Sequence, residues 1–483
     1  MSTTDMAQKA EQKEFFRRRR EVTRQNWQKR LKKWTWYAVL AEVFLVALWP
    51  AGATIAMLAG VLLTLVRFKL DKEFKFRHLP LDTPALLFVV ISALSILSSP
   101  DRGFSFYNWY NLVGVYVLTY LLIGQNLREK REVKQLLLAL GSACIIVLLY
   151  GFYQFMFGID ISAMKWVDGE AFPELRKRVF STWENPNILA GYLDAMICLG
   201  FGLLVKAETK NQRIILGGIM LAMAACLAMT YARGACLVIA IIFAGYGMIK
   251  DWRVLIACIV IGGGLLLADP ILYERLTSIF TKVDTSAEMR LAFWESTIAM
   301  IQDHPLLGIG WGAYWMVYPE YDFYLQGADI MIVHAHNLYL NYAAEIGIPG
   351  AITFFWFFFG TMWQAGRQNF LAEAADKTNE QSPFVLKKEA AADAELQQID
   401  NDFKRLKVKL SVWREFLTWP DYRLLNGMSL GISLAVLSIA LNGFTDDLLF
   451  NIPSSMFLWM LAGIVGALTR FNDEERQDNE RTD

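Results

Sequence analysis

The sequence predicts an all-α, polytopic membrane protein with about twelve transmembrane helices and a large extracytoplasmic helical loop. Two observations carry this prediction. Hydrophobic residues make up 55% of the 483 residues and charged residues 19%, and the apolar residues gather in blocks instead of spreading evenly along the chain. The turns between blocks alternate between rich and poor in Lys and Arg, as expected of a chain threaded through a bilayer.

The blocks fall near 35–50, 51–67, 84–99, 107–124, 134–157, 186–205, 212–230, 234–249, 253–269, 349–366, 424–443 and 453–469. Several are short for a hydrocarbon core that needs about 20 helical residues, which calls for tilt. A basic head precedes the first block and carries eleven Lys and Arg by position 33, including Arg17, Arg18, Arg19 and Arg20. It is longer than a signal n-region, and no small-residue cleavage site follows the block, so the block is expected to stay in the membrane.

The positive-inside rule places that head in the cytoplasm. Alternation then assigns to the cytoplasm the turns holding Arg67, Lys69, Lys72, Lys75 and Arg77; Arg128, Lys130, Arg131 and Lys134; Lys206, Lys210 and Arg213; and Lys250 and Arg253. The short turns assigned outside hold Arg102 and Arg233. The resulting organisation is a cytoplasmic tail 1–33, nine spans in 34–269, an extracytoplasmic loop 270–348, a span 349–366, a cytoplasmic helical insertion 367–423, two spans in 424–469 and a cytoplasmic tail 470–483.

The five cysteines, Cys144, Cys198, Cys226, Cys236 and Cys258, all lie in apolar blocks without C-x-x-C spacing. They read as small buried hydrophobes, not as disulfides or zinc ligands. Only Glu42 and Asp194 fall well inside predicted spans, and neither has an evident partner in the sequence.

Three stretches on the outer side interrupt the apolar pattern. In "STWENPNILAGYL", Asn185 before Pro186 suits the cap and first turn of a helix, with Asn187 crowded at the same edge. In "TSAEMRLAFWESTIAMIQDHP", Thr285 and Glu288 have capping-box spacing, and a helix over 286–303 puts Arg290, Trp294, Thr297 and Ile301 on one stripe. In "IVHAHNLYLNYAAEIGIPG", Asn337 caps a helix of about ten residues that Gly347 and Pro349 interrupt, either a short surface element or the broken top of a span. Two of the chain's four histidines, His334 and His336, stand directly before that cap. His336 and Glu345 are about half a turn out of phase, so a direct acid–base pair between them is not expected.

Positive charge on the outer side runs against the orientation rule and asks for a reason. Arg290, Arg233 in "TYARGA" and the triplet Arg176, Lys177 and Arg178 suit an anionic group such as a phosphate or diphosphate. A neutral histidine beside it suits proton abstraction from a hydroxyl.

The segments "NPNILAGYL", "YARGA", "RLAFWESTIAMIQDHPLLGIGWGAY" and "HAHNLYLNYAAEIGIPG", in this order, resemble the O-antigen ligase and polymerase superfamily of bacterial envelope enzymes. The resemblance spans roughly 35–470. It implies an inverting, metal-independent glycosyltransferase without a cofactor, in the plasma (inner) membrane with both termini cytoplasmic. Such an enzyme moves a glycan from undecaprenyl diphosphate to a hydroxyl on the outer face. The partners implied are that lipid-linked donor, a lipid-anchored or surface glycan acceptor such as lipid A core, and membrane lipids, with no nucleic acid. By position, His336 matches the family's catalytic histidine, and Arg233 and Arg290 match arginines that hold the diphosphate. His334, Asn337, Glu345, Asn185 and Asn187 are expected to support them. Ala232 departs from the serine often found before the first arginine, and nothing in the resemblance accounts for the insertion. A glycan polymerase is the near alternative; a transporter such as a bicarbonate carrier is the alternative of another class.

Overall fold

The computed structural model describes residues 3–158, 178–270, 272–274, 285–324, 331–370 and 419–482. Among these the chain is helical throughout, without a strand. The helices are α1 (Thr3–Leu45), α2 (Pro50–Leu70), α3 (Asp82–Ser95), α4 (Arg102–Trp109), α5 (Val117–Asn126), α6 (Lys130–Phe157), α7 (Pro186–Lys206) and α8 (Lys210–Met229). There follow α9 (Arg233–Ile249), α10 (Trp252–Ala268), α11 (Thr285–Asp303), α12 (Tyr314–Val317), α13 (Leu338–Gly366), α14 (Asp421–Asn442) and α15 (Ile452–Thr482).

Seven of the described helices, α2, α6, α7, α8, α13, α14 and α15, are long and apolar enough to cross a membrane. Shorter apolar helices cover three more of the twelve expected blocks: Asp82–Ser98, Arg233–Ile249 and Trp252–Ala268. The chain is a polytopic membrane protein. Two blocks take a different form from the expected single spans. The block 35–50 is largely the end of the long helix α1, so the basic head runs helically into it. The block 107–124 is interrupted: α4 passes through a π-helical turn at Tyr110–Gly114 before α5 begins. Ser455 Oγ donates to the Leu112 carbonyl inside that turn at 2.6 Å, pairing a backbone group within it. Most of the insertion, 371–418, lies outside the described residues. Its two roots are joined by Asn426, which accepts from Phe370 N at 2.9 Å and donates to Phe370 O at 2.8 Å.

The helices at the centre of the fold are α7 and α14. Most residues of α7 are buried, and it approaches α14 across glycines. A Cβ on Gly202 would lie 2.3 Å from Gly427 O, and one on Gly431 would lie 2.7 Å from Leu199 Cα. Small residues at Gly427 and Gly431, four apart, allow the backbones to meet, as in close helix pairs within membranes. At the far end of the seam Asn442 Nδ2 donates to Asp194 Oδ2 at 2.8 Å. Asp194 therefore has a partner that its sequence neighbourhood did not disclose, as does Glu42, which accepts from Thr119 Oγ1 at 2.6 Å.

Helix α13 is the broken element the sequence allowed. Gly347 sits at φ 71° within it, and a Cβ there would fall 2.3 Å from Leu306 O. The break orphans carbonyls of the upper segment, and the loop after α11 satisfies them. Ile309 N donates to Ala344 O at 2.8 Å and Gly310 N to Glu345 O at 3.0 Å, while Ile348 N reaches Pro305 O at 2.9 Å. These three backbone bonds fix the loop between α11 and α12 to α13. An aromatic cluster of Phe88, Trp311, Tyr342, Phe354 and Trp459 packs α3, α13 and α15 beneath it.

Candidate functional site

The site is assembled from three polar segments that the α7–α14 seam and α13 bring together: the entry to α7, the approach to α13 and the α14–α15 turn. Asn185 caps α7, its side chain accepting from Asn187 N at 2.8 Å, with Pro186 in the first turn. Trp183, just ahead of it, is buried and stacks on Tyr192 at 4.5 Å between ring centroids, which explains an aromatic at that edge by packing. Asn337 caps α13, accepting from Tyr339 N and Leu340 N, both at 3.0 Å. Its Nδ2 reaches across to Phe444 O at 3.2 Å, and Leu338 N donates to Gly443 O at 2.8 Å. These bonds seat the α14–α15 turn directly beside the histidines.

Among the described residues, four other than glycine take positive φ: Ser181 (49°), Glu184 (59°), Tyr231 (52°) and His336 (49°). Each such conformation costs on the order of 1–2 kcal/mol. They fall on the approach to α7, the α8–α9 turn and the approach to α13, so backbone strain concentrates where the polar segments meet. At His336 the left-handed turn lets Asn337 cap α13 while the imidazole points to the α14–α15 turn.

His336 Nδ1 lies 3.2 Å from Asp446 Oδ1. Asp446 also accepts from Asp447 N on Oδ1 at 3.0 Å and from Asn187 Nδ2 on Oδ2 at 3.2 Å. Burial alone would raise its carboxyl pKa. The hydrogen bond from His336 and the positive charges of Arg290 and, when protonated, His334 and His336 outweigh burial and hold it well below the usual carboxylate range. An ionised carboxylate is acceptor-only, so the proton between the two sits on His336 Nδ1 and Nε2 is the open acceptor. His334 is buried beneath, against Phe450, and its Nδ1 accepts the backbone N–H of His336 at 3.1 Å. Burial, then the neighbouring charges of His336 and Arg290, push its pKa down to about 4, so it is neutral at pH 7.

The two arginines approach from separate elements. Arg290 stands on α11, one turn before Phe293, whose ring lies 5.9 Å from that of His336, and its charge is felt at both His334 and Asp446. Arg233 opens α9. The following Gly234 abuts the α14–α15 turn, since a Cβ there would lie 3.2 Å from Thr445 Oγ1. Ala232, at the cap of α9, makes no side-chain capping bond, so the first amides of that helix keep the positive potential of an uncapped N-terminus.

Glu345 does not touch His336. Its Oε2 accepts from Gly312 N at 2.9 Å, which makes it an anchor for the loop before α12. Of the basic triplet, Arg176 and Lys177 lie outside the described residues, while Arg178 donates to Asn187 Oδ1 at 2.7 Å. Asp446 was not anticipated, nor was Asp447, whose carboxylate accepts from Asn341 Nδ2 at 3.1 Å and Leu449 N at 3.0 Å. Burial and the adjacent Asp446 push the Asp447 pKa up to about 7. The available signal was the adjacent pair of carboxylates in "NGFTDDLLFN", a turn between two apolar blocks on the predicted outer side. No metal was expected from the sequence; the donor atoms of His334, His336 and Asp446 do lie within 4.8 Å of one another, with the Nδ1 atom of each histidine already used in a hydrogen bond.

The geometry is that of a histidine oriented by a carboxylate, open at Nε2, with the positive charge of Arg290 acting on the same group of residues. Residues 218–355 match the family described as O-antigen ligase. This stretch contains Arg233, Arg290, His334, His336, Asn337 and Glu345, whereas Asn185, Asn187 and Asp446 come from outside it. Among curated proteins, none matches the chain. This match, which covers the histidine and arginine motifs, supports the resemblance to the O-antigen ligase and polymerase superfamily.

Proposed function

We propose that the protein transfers a glycan from a polyprenyl diphosphate, undecaprenyl diphosphate in bacteria, to a hydroxyl of a lipid-anchored or surface acceptor. The reaction takes place on the outer face of the plasma membrane, as in a ligase. The observation that carries this reading is the His336–Asp446 pair facing the charges of Arg290 and, beside the α14–α15 turn, Arg233. Asp446 accepts from His336 Nδ1, leaving Nε2 to take the proton of the attacking hydroxyl. Arg290, Arg233 and the first amides of α9 neutralise the charge that develops on the departing diphosphate. Direct attack of the hydroxyl opposite that leaving group breaks the glycosyl–phosphate bond, forms the new glycosidic bond and inverts the anomeric centre. The proton passes to His336, and no covalent glycosyl enzyme intervenes.

The strained turns at Tyr231 and His336 fit this role, because a site that must present groups in fixed positions before substrate arrives holds them in conformations a free chain would leave. The test is donor binding. Purified protein in nanodiscs, titrated with a lipid diphosphate glycan, is expected to bind roughly ten- to a hundredfold more weakly after Arg233→Ala or Arg290→Ala, the worth of a charge-assisted phosphate contact. His336→Ala is expected to bind donor as the wild type does. Unchanged binding in both arginine variants would remove the diphosphate from this corner.

A further inference from the structure

Arg178 makes two bonds that join parts of the site otherwise distant in sequence. Its Nη2 donates to Asn187 Oδ1 at 2.7 Å, and its Nε donates to Thr230 O at 2.8 Å. Thr230 is fully buried and begins the turn through Tyr231 and Ala232 to Arg233, and its hydroxyl accepts from Ala232 N at 3.2 Å. Asn187 donates onward to Asp446 Oδ2 at 3.2 Å.

The polarity of this chain is set from one end. A guanidinium has donors and no acceptor, so it must meet the oxygen of Asn187. That leaves the Asn187 amide N–H groups for Asp446, which, ionised, accepts from His336 Nδ1 and leaves Nε2 bare. With Asn187 turned over, its oxygen would face a carboxylate oxygen, and Asp446 would relieve the repulsion by moving away from His336 or taking a proton.

We propose that Arg178 is a positioning residue for the transfer reaction: it fixes the orientation of Asn187, through it the Asp446–His336 pair, and at the same time holds the turn that presents Arg233. This rests on the function proposed above. The base and one phosphate-binding arm are thereby kept in a single frame, although they arise from α13 and α9. Arg178 itself touches neither reacting atom.

The experiment combines kinetics with a signature of the His336 tautomer. The chain has four histidines, so ¹⁵N-histidine solid-state NMR of the full-length protein in lipid resolves the ring nitrogens, and a His336→Ala sample assigns that residue. Wild type is expected to show His336 protonated at Nδ1 and bare at Nε2. In Arg178→Gln the signal is expected to divide between tautomers. Its kcat is expected to fall about a hundredfold, the scale of a misplaced catalytic group, with a severalfold rise in donor KM. In Arg178→Ala, guanidinium ion at millimolar concentration is expected to restore part of kcat, and Arg178→Lys, with one point donor in place of a fork, to restore less than the native residue. An Arg178→Gln protein with native thermal stability, an unchanged His336 tautomer and an unchanged kcat would overturn the proposal. If His336→Ala kept full transfer, the functional reading would fail, while the tautomer measurement would still decide whether Arg178 orients this chain.

Discussion

His336 combines three properties rarely joined in one residue: a left-handed backbone, a ring nitrogen paired with Asp446 and a position one residue before a helix cap. The first two make the third intelligible, since only a reversed φ lets the chain cap α13 and still send the imidazole sideways to the α14–α15 turn. The histidine, its adjoining asparagine and both arginines were legible from the sequence because each sits in a local pattern: a cap, a helical stripe, a polar break in an apolar run. Asp446 was not, because its significance lies in a contact across 110 positions that no local period encodes. Replacing it tests the pairing. Asp446→Asn is expected to lower kcat by about 10²- to 10⁴-fold, as when a base loses the acceptor that fixes its tautomer, with donor binding retained; a steady-state assay alongside a binding titration separates the two.

A second residue-scale expectation concerns acid. The folded-state pKa of His334, about 4, lies below its ordinary value of 6.5. The unfolded chain therefore takes up a proton there between pH 6.5 and 4 that the folded chain refuses. The contribution of neutral His334 to stability is complete above pH 6.5 and is lost as pH falls toward 4. His334→Gln lacks this titration. The difference in apparent unfolding temperature between wild type and variant is expected to move against the wild type on going from pH 7 to pH 4.5; a difference independent of pH would contradict the assignment.

At the scale of elements, the α7–α14 seam decides whether the site exists. Asn187 stands in the first turn of α7, Asp446 follows the end of α14, and the hydrogen bond from Asn442 to Asp194 ties the two helices just below. The seam itself consists of glycines whose backbones nearly touch, so a larger side chain there must separate the helices. Gly431→Val is expected to cost upward of about 2 kcal/mol, seen as a lower apparent unfolding temperature. It should also weaken glycan transfer, although Gly431 lies about three helical turns from Asn442. The capping signals at Asn185 and Asn337 gave their helix starts, because capping is local chemistry. The break of α13 at Gly347 was legible for the same reason. What local chemistry does not contain is the π-helical interruption before α5, a response to neighbours such as Ser455 that pack against Leu112.

For the molecule as a whole, hydropathy and charge alternation carried the class and the order of helices, since burying backbone in lipid leaves a helical chain few alternatives. They did not carry the number of spans. Length and apolarity single out seven described helices, while the rest are short, broken or continuous with a charged head, and where such helices end is set by packing against neighbours. Nor did hydropathy reveal which polar residues face one another. Asp194 and Glu42, isolated in the sequence, each have a hydrogen-bond partner inside the bundle for one carboxylate oxygen, while the other oxygen of each is buried without one. The polar groups that converge are instead those on the approaches to α7, α9 and α13 and in the α14–α15 turn, contributed by both halves of the chain.

The central claim is that this convergence makes His336 the base of a glycan transfer. The most direct test is turnover of a lipid diphosphate glycan with a hydroxyl acceptor by purified protein in nanodiscs, with EDTA present, comparing wild type with His336→Ala. The account predicts transfer by the wild type and a loss of about 10²-fold or more in the variant, with donor binding and thermal stability intact. Equal turnover by the two proteins would contradict it.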